Sequence, residues 1–267
     1  MDALPLAAVL GLVVGLILAL TGAGGGILAV PLLVFGTGMR VAEAGPIGLL
    51  AVGMAAALGA ILGLRDGQVR YRAALLIASA GMLLSPAGLW AARLVDGRWL
   101  SLLFAMTLLY VAFRTWRQAA GPGIAPGPDK VVCVRGEQTG RFVWTRPCMR
   151  ALGLSGALAG FLSGLLGVGG GFVMVPALQR YTDLAMKSAV ATSLAVIATI
   201  SVAGVATSAA QGGIDWFTAA PFAGGALAGM LGGRSLAARV AGPALQKAFA
   251  VVSALVALGM VAKALLS

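Results

Sequence analysis

Residues 11–31 of this sequence read GLVVGLILALTGAGGGILAVP, and residues 156–176 read GALAGFLSGLLGVGGGFVMVP. The two stretches align without a gap at an offset of 145 residues, and nine of the 21 aligned positions are identical. The same offset pairs Phe104 with Phe249 and further residues beyond the two stretches. The sequence therefore predicts two copies of one structural half.

The composition of the chain is that of a protein embedded in lipid. Of its 267 residues, 60% are hydrophobic and 10% are charged, whereas about a quarter of the residues are charged in a typical soluble domain. Uncharged runs repeatedly reach the roughly 20 apolar residues that a helix needs to cross a bilayer. The net charge of +11 comes from basic residues in short connections beside these runs, which is typical of cytoplasmic loops. We therefore exclude nucleic acid as a partner.

The number of segments in each half sets the orientation of the halves. Two uncharged runs, residues 3–39 and 151–179, are too long for one crossing. If each run crosses the membrane once, each half holds four spans, and because four is even the two halves are parallel. If each run folds back on itself, each half holds five segments, and because five is odd the second half is inverted relative to the first. Folding back places 15 of the 19 Lys and Arg residues on one side, whereas the parallel arrangement divides them ten against nine. Because cytoplasmic loops carry the excess of Lys and Arg, we expect an all-α polytopic membrane protein with two inverted repeats of about five segments.

The predicted order along the chain is a first membrane repeat over residues 1–118, a cytoplasmic linker over 119–150 and a second repeat over 151–267. With the basic side in the cytoplasm, both termini lie outside a multi-pass protein of the inner membrane. Both cysteines fall in the linker. Because cytoplasmic thiols are kept reduced, we expect no disulfide between Cys133 and Cys148.

Each long run contains the sequence Gly-X-Gly-Gly-Gly, at residues 22–26 and 167–171, followed by Pro31 and Pro176. Glycine destabilises a helix by about 1 kcal/mol per residue relative to alanine, and proline by about 3 kcal/mol, so we expect a helix break at each motif. Lipid offers no partners to opened backbone, which must be buried in protein or line a polar cavity. The glycine amides would stand at the positive start of the following helix, where anions bind.

The two motifs predict a binding site for a small anion that uses no charged side chain. In inverted halves the motifs approach the membrane centre from opposite faces, so their amides can converge on one ligand. The predicted substrate-binding residues are Thr21, Gly22, Gly24, Gly25, Gly26, Gly167, Gly169, Gly170, Gly171, Thr192 and Ser193. The predicted structural helix-break residues are Pro31 and Pro176. Further hydroxyl candidates are Ser163, Thr199, Ser201, Thr207 and Ser208.

Close helix packing is the competing interpretation of the glycines. Small residues four apart let membrane helices approach each other, and we assign Gly11 with Gly15 and Gly156 with Gly160 to that role. The glycine triplets do not have this spacing, which favours a site there. Hydroxyl groups in membrane helices commonly bond their own backbone, which favours a structural role for each hydroxyl candidate except Thr192 and Ser193.

The sequence shows no catalytic machinery. It contains no histidine, and no Asp, Glu, Lys or Arg lies well inside an apolar run, which removes the usual proton-relay and metal-ligand candidates of membrane proteins. We therefore expect no enzyme, no cofactor and no bound metal. The expected partners are a small inorganic or organic anion and membrane lipid, and the sequence leaves open whether the chain forms a homodimer.

The segment GVGGGFVMVP at residues 167–176, followed by AVATSL at residues 189–194, resembles the sulfite exporter TauE/SafE family. The resemblance spans the whole chain, although the first half has Ile47 and Gly48 where the second half has Thr-Ser. It implies a secondary transporter that exports small sulfur-containing anions such as sulfite or organosulfonates. An anion channel and a membrane scaffold subunit without transport activity are the alternatives.

Overall fold

The computed structural model describes residues 3–22, 24–120, 132–133, 144–240 and 243–266. Within these residues the chain forms ten α-helices and no β-strand, with five helices before the linker and five after it. The predicted all-α fold is confirmed. The helices are α1 (Ala3–Thr21), α2 (Gly24–Gly36), α3 (Val41–Arg65), α4 (Tyr71–Leu94), α5 (Gly97–Ala120), α6 (Arg146–Leu166), α7 (Gly171–Tyr181), α8 (Met186–Ala210), α9 (Trp216–Val240) and α10 (Pro243–Leu266).

The lengths and composition of the helices are those of a multi-pass membrane protein. In the described part of the chain, seven helices are long and apolar enough to cross a bilayer, namely α1, α3, α4, α5, α6, α8 and α10. Helices α2 and α7 have only 13 and 11 residues. Since a crossing needs roughly 20 residues, neither of these two can span the membrane by itself.

The helices pair in a pattern that is preserved when the two halves are exchanged. Helix α1 packs chiefly on α9, and α6, its counterpart at the offset of 145 residues, packs chiefly on α4. Helix α3 packs on its own counterpart α8, and α5 packs on its own counterpart α10. Two halves related by a twofold axis would produce this pattern. The orientation of that axis in the membrane stays a prediction.

Glycines four residues apart form the tightest of these helix contacts. A Cβ atom placed on Gly11 would lie 2.0 Å from the carbonyl oxygen of Phe222 on α9. Cβ atoms on Gly15, Gly156 and Gly160 would lie 2.0 to 2.3 Å from backbone oxygens of the facing helix. No side chain fits at such distances, so the packing role predicted for these four glycines is confirmed.

Two glycines of α9 provide a matched test of this packing. A Cβ atom on Gly229 would lie 2.1 Å from the carbonyl oxygen of Leu12, whereas one on Gly232 meets nothing within 4 Å. We expect Gly229→Ala to destabilise the protein by about 1–3 kcal/mol, the usual cost of overpacking. Gly232→Ala should leave the stability unchanged or raise it by up to about 1 kcal/mol through helix propensity. Thermal unfolding in detergent measures both, and equal melting temperatures would contradict the α1–α9 contact.

The central linker shows one departure from the sequence-based expectation. Cys133 and Cys148 form a disulfide, so the prediction that they stay reduced is wrong. Their Cα atoms are 5.1 Å apart, within the range that a disulfide requires. The prediction considered only the compartment, whereas the fold brings the two thiols together: the Cys133 amide donates to the Tyr181 carbonyl oxygen at 2.8 Å. The disulfide ties Cys133 to the start of α6, and the hydrogen bond to Tyr181 ties it to the end of α7. Most of the predicted linker lies outside the described residues.

Candidate functional site

Both glycine motifs interrupt a helix, as the sequence predicts. Helix α2 starts three residues after the end of α1, and α7 starts five residues after the end of α6. Gly22 in the first break has a φ of 74°. The second break contains three residues with φ of 70°, 76° and 67°, namely Gly167, Gly169 and Gly170. Other residue types adopt this left-handed conformation at a cost of about 1–2 kcal/mol, which explains glycine at the breaks.

The structure corrects the position of the breaks in two respects. Gly24, Gly25 and Gly26 form the first turn of α2 and not an open segment. Pro31 and Pro176 lie inside α2 and α7, which continue beyond them, so the prolines are not the breaking residues. Each proline removes one helical hydrogen bond, which membrane helices tolerate when neighbouring groups satisfy the freed carbonyl. The left-handed glycines define the breaks.

The two breaks lie against each other in the core. A Cβ atom placed on Gly26 would lie 2.6 Å from the carbonyl oxygen of Val168, so the backbones of the two motifs are in direct contact. Gly22, Gly25, Gly26 and all five residues of 167–171 are buried. The two motifs are therefore not parts of uninterrupted helices, and they do not face lipid at separate places in the fold.

Helices α3 and α8 each pack on the break of the opposite half. On α3, Gly45 and Gly48 lie against Gly167, with 2.3 Å between the Gly45 Cα atom and a Cβ atom placed on Gly167. At the equivalent positions on α8, Val190 and Ser193 lie against Gly22. The Val190 side chain is 2.3 Å from a Cβ atom placed on Gly22, and the Ser193 hydroxyl lies 3.5 Å from the Gly22 carbonyl oxygen. Each half therefore completes the other half's break.

Several predicted hydroxyl ligands have structural partners. Thr21, Thr199 and Thr207 donate to the carbonyl oxygen four residues earlier at 2.7 Å. Thr192 accepts a hydrogen bond from the Arg70 amide at 3.1 Å, which ties α8 to the turn before α4. Ser193 donates to the Val190 carbonyl oxygen at 2.8 Å in addition to its contact with the first break. Thr21 and Ser193 thus lie beside the first break, whereas the bond of Thr192 points to a role in helix packing.

Three other serines have buried hydroxyl groups without a hydrogen-bond partner in the described structure, namely Ser85 on α4, Ser163 on α6 and Ser201 on α8. All three are at most 1% exposed. The Ser201 Oγ atom lies 3.6 Å from a Cβ atom placed on Gly169, inside the second break. An unsatisfied buried hydroxyl costs about 1–3 kcal/mol, so a ligand that accepts a hydrogen bond here would remove a real penalty. Ser85 is a candidate that sequence reasoning missed, because nothing in its local sequence separates it from a packing serine.

A cavity of about 500 Å³ leads to the first break. Thr21 on α1 and Val190 on α8 line it beside Gly22. The cations Arg114, Lys187 and Arg234 also line it, together with one acid, Asp66, which pairs with Arg234. In the described structure neither Arg114 nor Lys187 has a carboxylate partner. The cavity therefore carries uncompensated positive charge, which raises the local concentration of anions.

The cavity lies beside the breaks but lines neither of them directly. Its lining includes Thr21, which precedes Gly22, and Phe172, Val175 and Pro176 of α7, but none of residues 22–26 or 167–171. In this conformation the described residues of both breaks are buried next to the cavity.

The two halves differ where the short helices meet α5 and α10. Helix α10 is closed onto α2, because the Lys263 Nζ atom donates to the Val34 carbonyl oxygen at 3.3 Å. The equivalent positions in the other half are Gln118 and Gln179, and both line the cavity between α5 and α7. The conformation is therefore closed between α2 and α10 and open between α7 and α5.

The chain matches one family model and several proteins named as probable membrane transporters along most of its length. The family model described as sulfite exporter TauE/SafE covers residues 7–260. A "Probable membrane transporter protein" of Xylella fastidiosa (strain 9a5c) is 32% identical over 231 residues, which cover 86% of this chain and 83% of the relative. The probable membrane transporter protein YunE of Bacillus subtilis is 26% identical, over 79% of this chain and 80% of the relative. The corresponding protein MJ0441 of Methanocaldococcus jannaschii is 28% identical, over 76% and 71%. No solved structure matches the chain.

Proposed function

Because this chain belongs to the sulfite exporter TauE/SafE family, we propose that it is a secondary transporter that exports small sulfur-containing anions, such as sulfite or organosulfonates, across the cytoplasmic membrane. The observation that carries this proposal is the contact between the two glycine breaks in the protein core. Two buried segments of open backbone from opposite halves can enclose one small ligand, which is the arrangement that inverted-repeat transporters use near the membrane centre.

Backbone amides at the second break support an anionic substrate. The hydrogen bonds of α7 begin with Val173 and Met174, which both donate to the Gly170 carbonyl oxygen at 3.1 and 3.4 Å. Among the described residues, no backbone hydrogen bond is donated by Gly169, Gly170 or Gly171. These amides stand at the positive end of the α7 dipole, where a negative charge is stabilised by about 0.3–1 kcal/mol or more. The amides of Gly24, Gly25 and Gly26 occupy the same place in α2.

The asymmetry between the halves supports alternating access. Helix α10 is closed onto α2, and a cavity lies between α5 and α7. We propose that this conformation is one of two states, which are related by exchanging the roles of the two halves. The other state would close α5 onto α7 and open α10 from α2. The cavity side holds 15 of the 19 Lys and Arg residues in the inverted arrangement, and on this ground we propose that the open side faces the cytoplasm. The Cys133–Cys148 disulfide on the same side counts against this orientation, because cytoplasmic thiols are kept reduced. The inside-negative potential, worth about 2.3 kcal/mol per charge per 100 mV, drives anion export without a coupling ion.

A flux measurement tests the proposed function. Purified protein in proteoliposomes should transport sulfite and short organosulfonates with saturable kinetics and counterflow, whereas sulfate and chloride should be poor competitors. The same lipid without protein and the protein inactivated by heat are the controls. Absence of protein-dependent flux for all four anions would overturn the proposal, and non-saturating flux without counterflow would indicate a channel.

The cations of the cavity should affect substrate capture more than turnover. We expect Lys187→Gln to raise the KM for sulfite roughly two- to fivefold with little change in kcat, because a partly screened charge at a wet mouth is worth about 0.5–1 kcal/mol. The salt dependence of KM should weaken in parallel. Arg93→Gln removes an exposed charge outside the cavity and is the matched control. An equal change in KM for both variants would argue against the cavity as the substrate's entrance.

A further inference from the structure

A second groove lies on the outside of the helix bundle, between α5 and the hairpin of α6 and α7. Its volume is about 490 Å³, and its lining is mainly apolar, including Leu103, Met106, Leu158 and Leu162. Met106 is 70% exposed and Leu158 is 53% exposed, so the groove opens toward the surroundings of the bundle. In a membrane protein these surroundings are lipid.

One end of the groove carries positive charge. Arg114 of α5 and Arg180 of α7 both line it, and neither has a carboxylate partner in the described structure. Arg114 lies near the end of α5 that leads into the linker, and Arg180 lies beside Tyr181, which bonds the linker at Cys133. The two arginines therefore share one end. Leu103 is 11 residues from Arg114, about 16 Å along the helix, which is close to half of the roughly 30 Å hydrocarbon core.

We propose that this groove binds one anionic phospholipid from the cytoplasmic leaflet. The phosphate lies between the guanidinium groups of Arg114 and Arg180, and one acyl chain lies along the apolar side chains of α5 and α6. Arginine forms paired hydrogen bonds with phosphate oxygens, so both guanidinium groups can bind the phosphate of the lipid. A lipid with a net negative charge is favoured over a zwitterionic lipid, because the two arginines are positively charged. The distance of about 16 Å along α5 between Leu103 and Arg114 matches the depth of one leaflet.

The bound lipid would complete the wall of the central cavity. Four side chains line both the groove and the cavity, namely Tyr110, Arg114, Phe172 and Pro176. These four side chains lie between α5 and α7 and separate the central cavity from the groove that faces the membrane. In the other half, α10 closes the equivalent gap itself through Lys263 and Val34. The lipid thus occupies the position where packing between protein helices is missing in this conformation.

Native mass spectrometry of the full-length protein in a neutral detergent tests the proposal independently of transport. Titration with phosphatidylglycerol should show one tight site, and phosphatidylcholine should bind at least about fivefold more weakly. Arg180→Gln should weaken phosphatidylglycerol binding about fivefold, and Arg114→Gln with Arg180→Gln about 25-fold, since each basic residue near a membrane surface contributes about a factor of five. Arg93→Gln, an exposed arginine outside the groove, should bind as the unchanged protein does.

A second measurement locates the acyl chain. Leu158→Cys labelled with a thiol-reactive fluorophore places a probe in the groove, and Leu83→Cys places the same probe at an exposed position of α4 outside it. The label is read apart from the five native tryptophans, and the native cysteines are joined in a disulfide. Phosphatidylglycerol with spin-labelled acyl chains should quench the probe at 158 at a lower mole fraction than the probe at 83. Inorganic phosphate at the same concentration should displace nothing, which separates a lipid from a free anion. Equal affinity for the two lipids, unchanged binding in Arg180→Gln, or equal quenching at both positions would overturn the proposal.

Discussion

Ser201→Ala is expected to raise the KM for the transported anion about 10- to 100-fold. A hydrogen bond to a charged group contributes about 1.5–3 kcal/mol, and 1.4 kcal/mol corresponds to a factor of ten. The Ser201 hydroxyl is 1% exposed, has no partner in the described structure and lies beside Gly169 in the second break. The folded protein should be as stable as before or more stable, because alanine removes an unsatisfied buried polar group. Flux in proteoliposomes and thermal unfolding measure the two effects.

Ser208→Ala is the matched control for this variant. Ser208 lies on the same helix, is equally buried and also has an unpaired hydroxyl, but it lies two turns away from Ser201, near the end of α8. We expect its KM to stay within twofold of that of the unchanged protein. Equal KM values for the Ser201 and Ser208 variants would mean that the unpaired hydroxyls reflect packing alone and that Ser201 does not contact the substrate.

Cross-links between α7 and α5, or between α2 and α10, are expected to stop transport completely. The pair Val34→Cys with Lys263→Cys should react with a short bifunctional maleimide in the resting protein, because the Lys263 Nζ atom already reaches the Val34 carbonyl oxygen. The pair Gln118→Cys with Gln179→Cys lines an open cavity and should react mainly while substrate is cycling. Each cross-link holds one side of the protein closed. A transporter that must open its two sides in turn then cannot complete a transport cycle.

The alternation predicts that the two cross-links exclude each other. In a protein that carries all four introduced cysteines, no single molecule should contain both links, and mass spectrometry of the intact protein counts the links in each molecule. Single-cysteine variants treated in the same way are the controls, and the native Cys133–Cys148 pair is joined in a disulfide and so does not react. Frequent double cross-linking with residual flux would contradict alternating access and favour a channel.

The glycines themselves give less informative variants than Ser201. A Cβ atom on Gly25 would lie 2.3 Å from the Leu18 amide nitrogen, and Gly170 has a φ of 67° with the Ala159 carbonyl oxygen 2.5 Å from its Cβ position. Alanine at either position should disturb folding whether or not the glycines bind an anion. A membrane scaffold and a transporter would therefore respond alike to these two substitutions, whereas Ser201→Ala separates them.

The repeat and the helix breaks could be predicted because they depend on local residue properties. Clustered glycines weaken a helix and adopt left-handed backbone conformations at low cost in both halves, and an offset of 145 residues reveals the duplication directly. The spacing of Gly11 with Gly15 and of Gly156 with Gly160 likewise predicted a helix contact without knowledge of the partner helix. The position of each break within its motif was less predictable, since Gly24 to Gly26 tolerate the first helical turn of α2 once α1 packs against it.

The remaining features of the site depend on contacts between distant parts of the chain. Helices α3 and α8 each cover the break of the other half, and these contacts join residues more than a hundred positions apart. The hydrogen bond between Thr192 and Arg70 also joins such distant residues. The disulfide depends on the distance between two cysteines, which composition does not encode. The unpaired hydroxyl of Ser85 could be found only by checking every neighbour in space.

The central claim is that backbone amides of the glycine breaks hold the anion, and nuclear magnetic resonance tests it directly. Labelling valine with ¹³C at the carbonyl and glycine with ¹⁵N selects the three Val-Gly amides of the chain, those of Gly15, Gly53 and Gly169. We predict that sulfite shifts the Gly169 amide in a saturable manner, at concentrations near the KM, while Gly15 in the α1–α9 contact stays unchanged. Chloride at equal ionic strength should shift neither. A Gly169 amide that does not respond to sulfite at concentrations that saturate flux would contradict the claim.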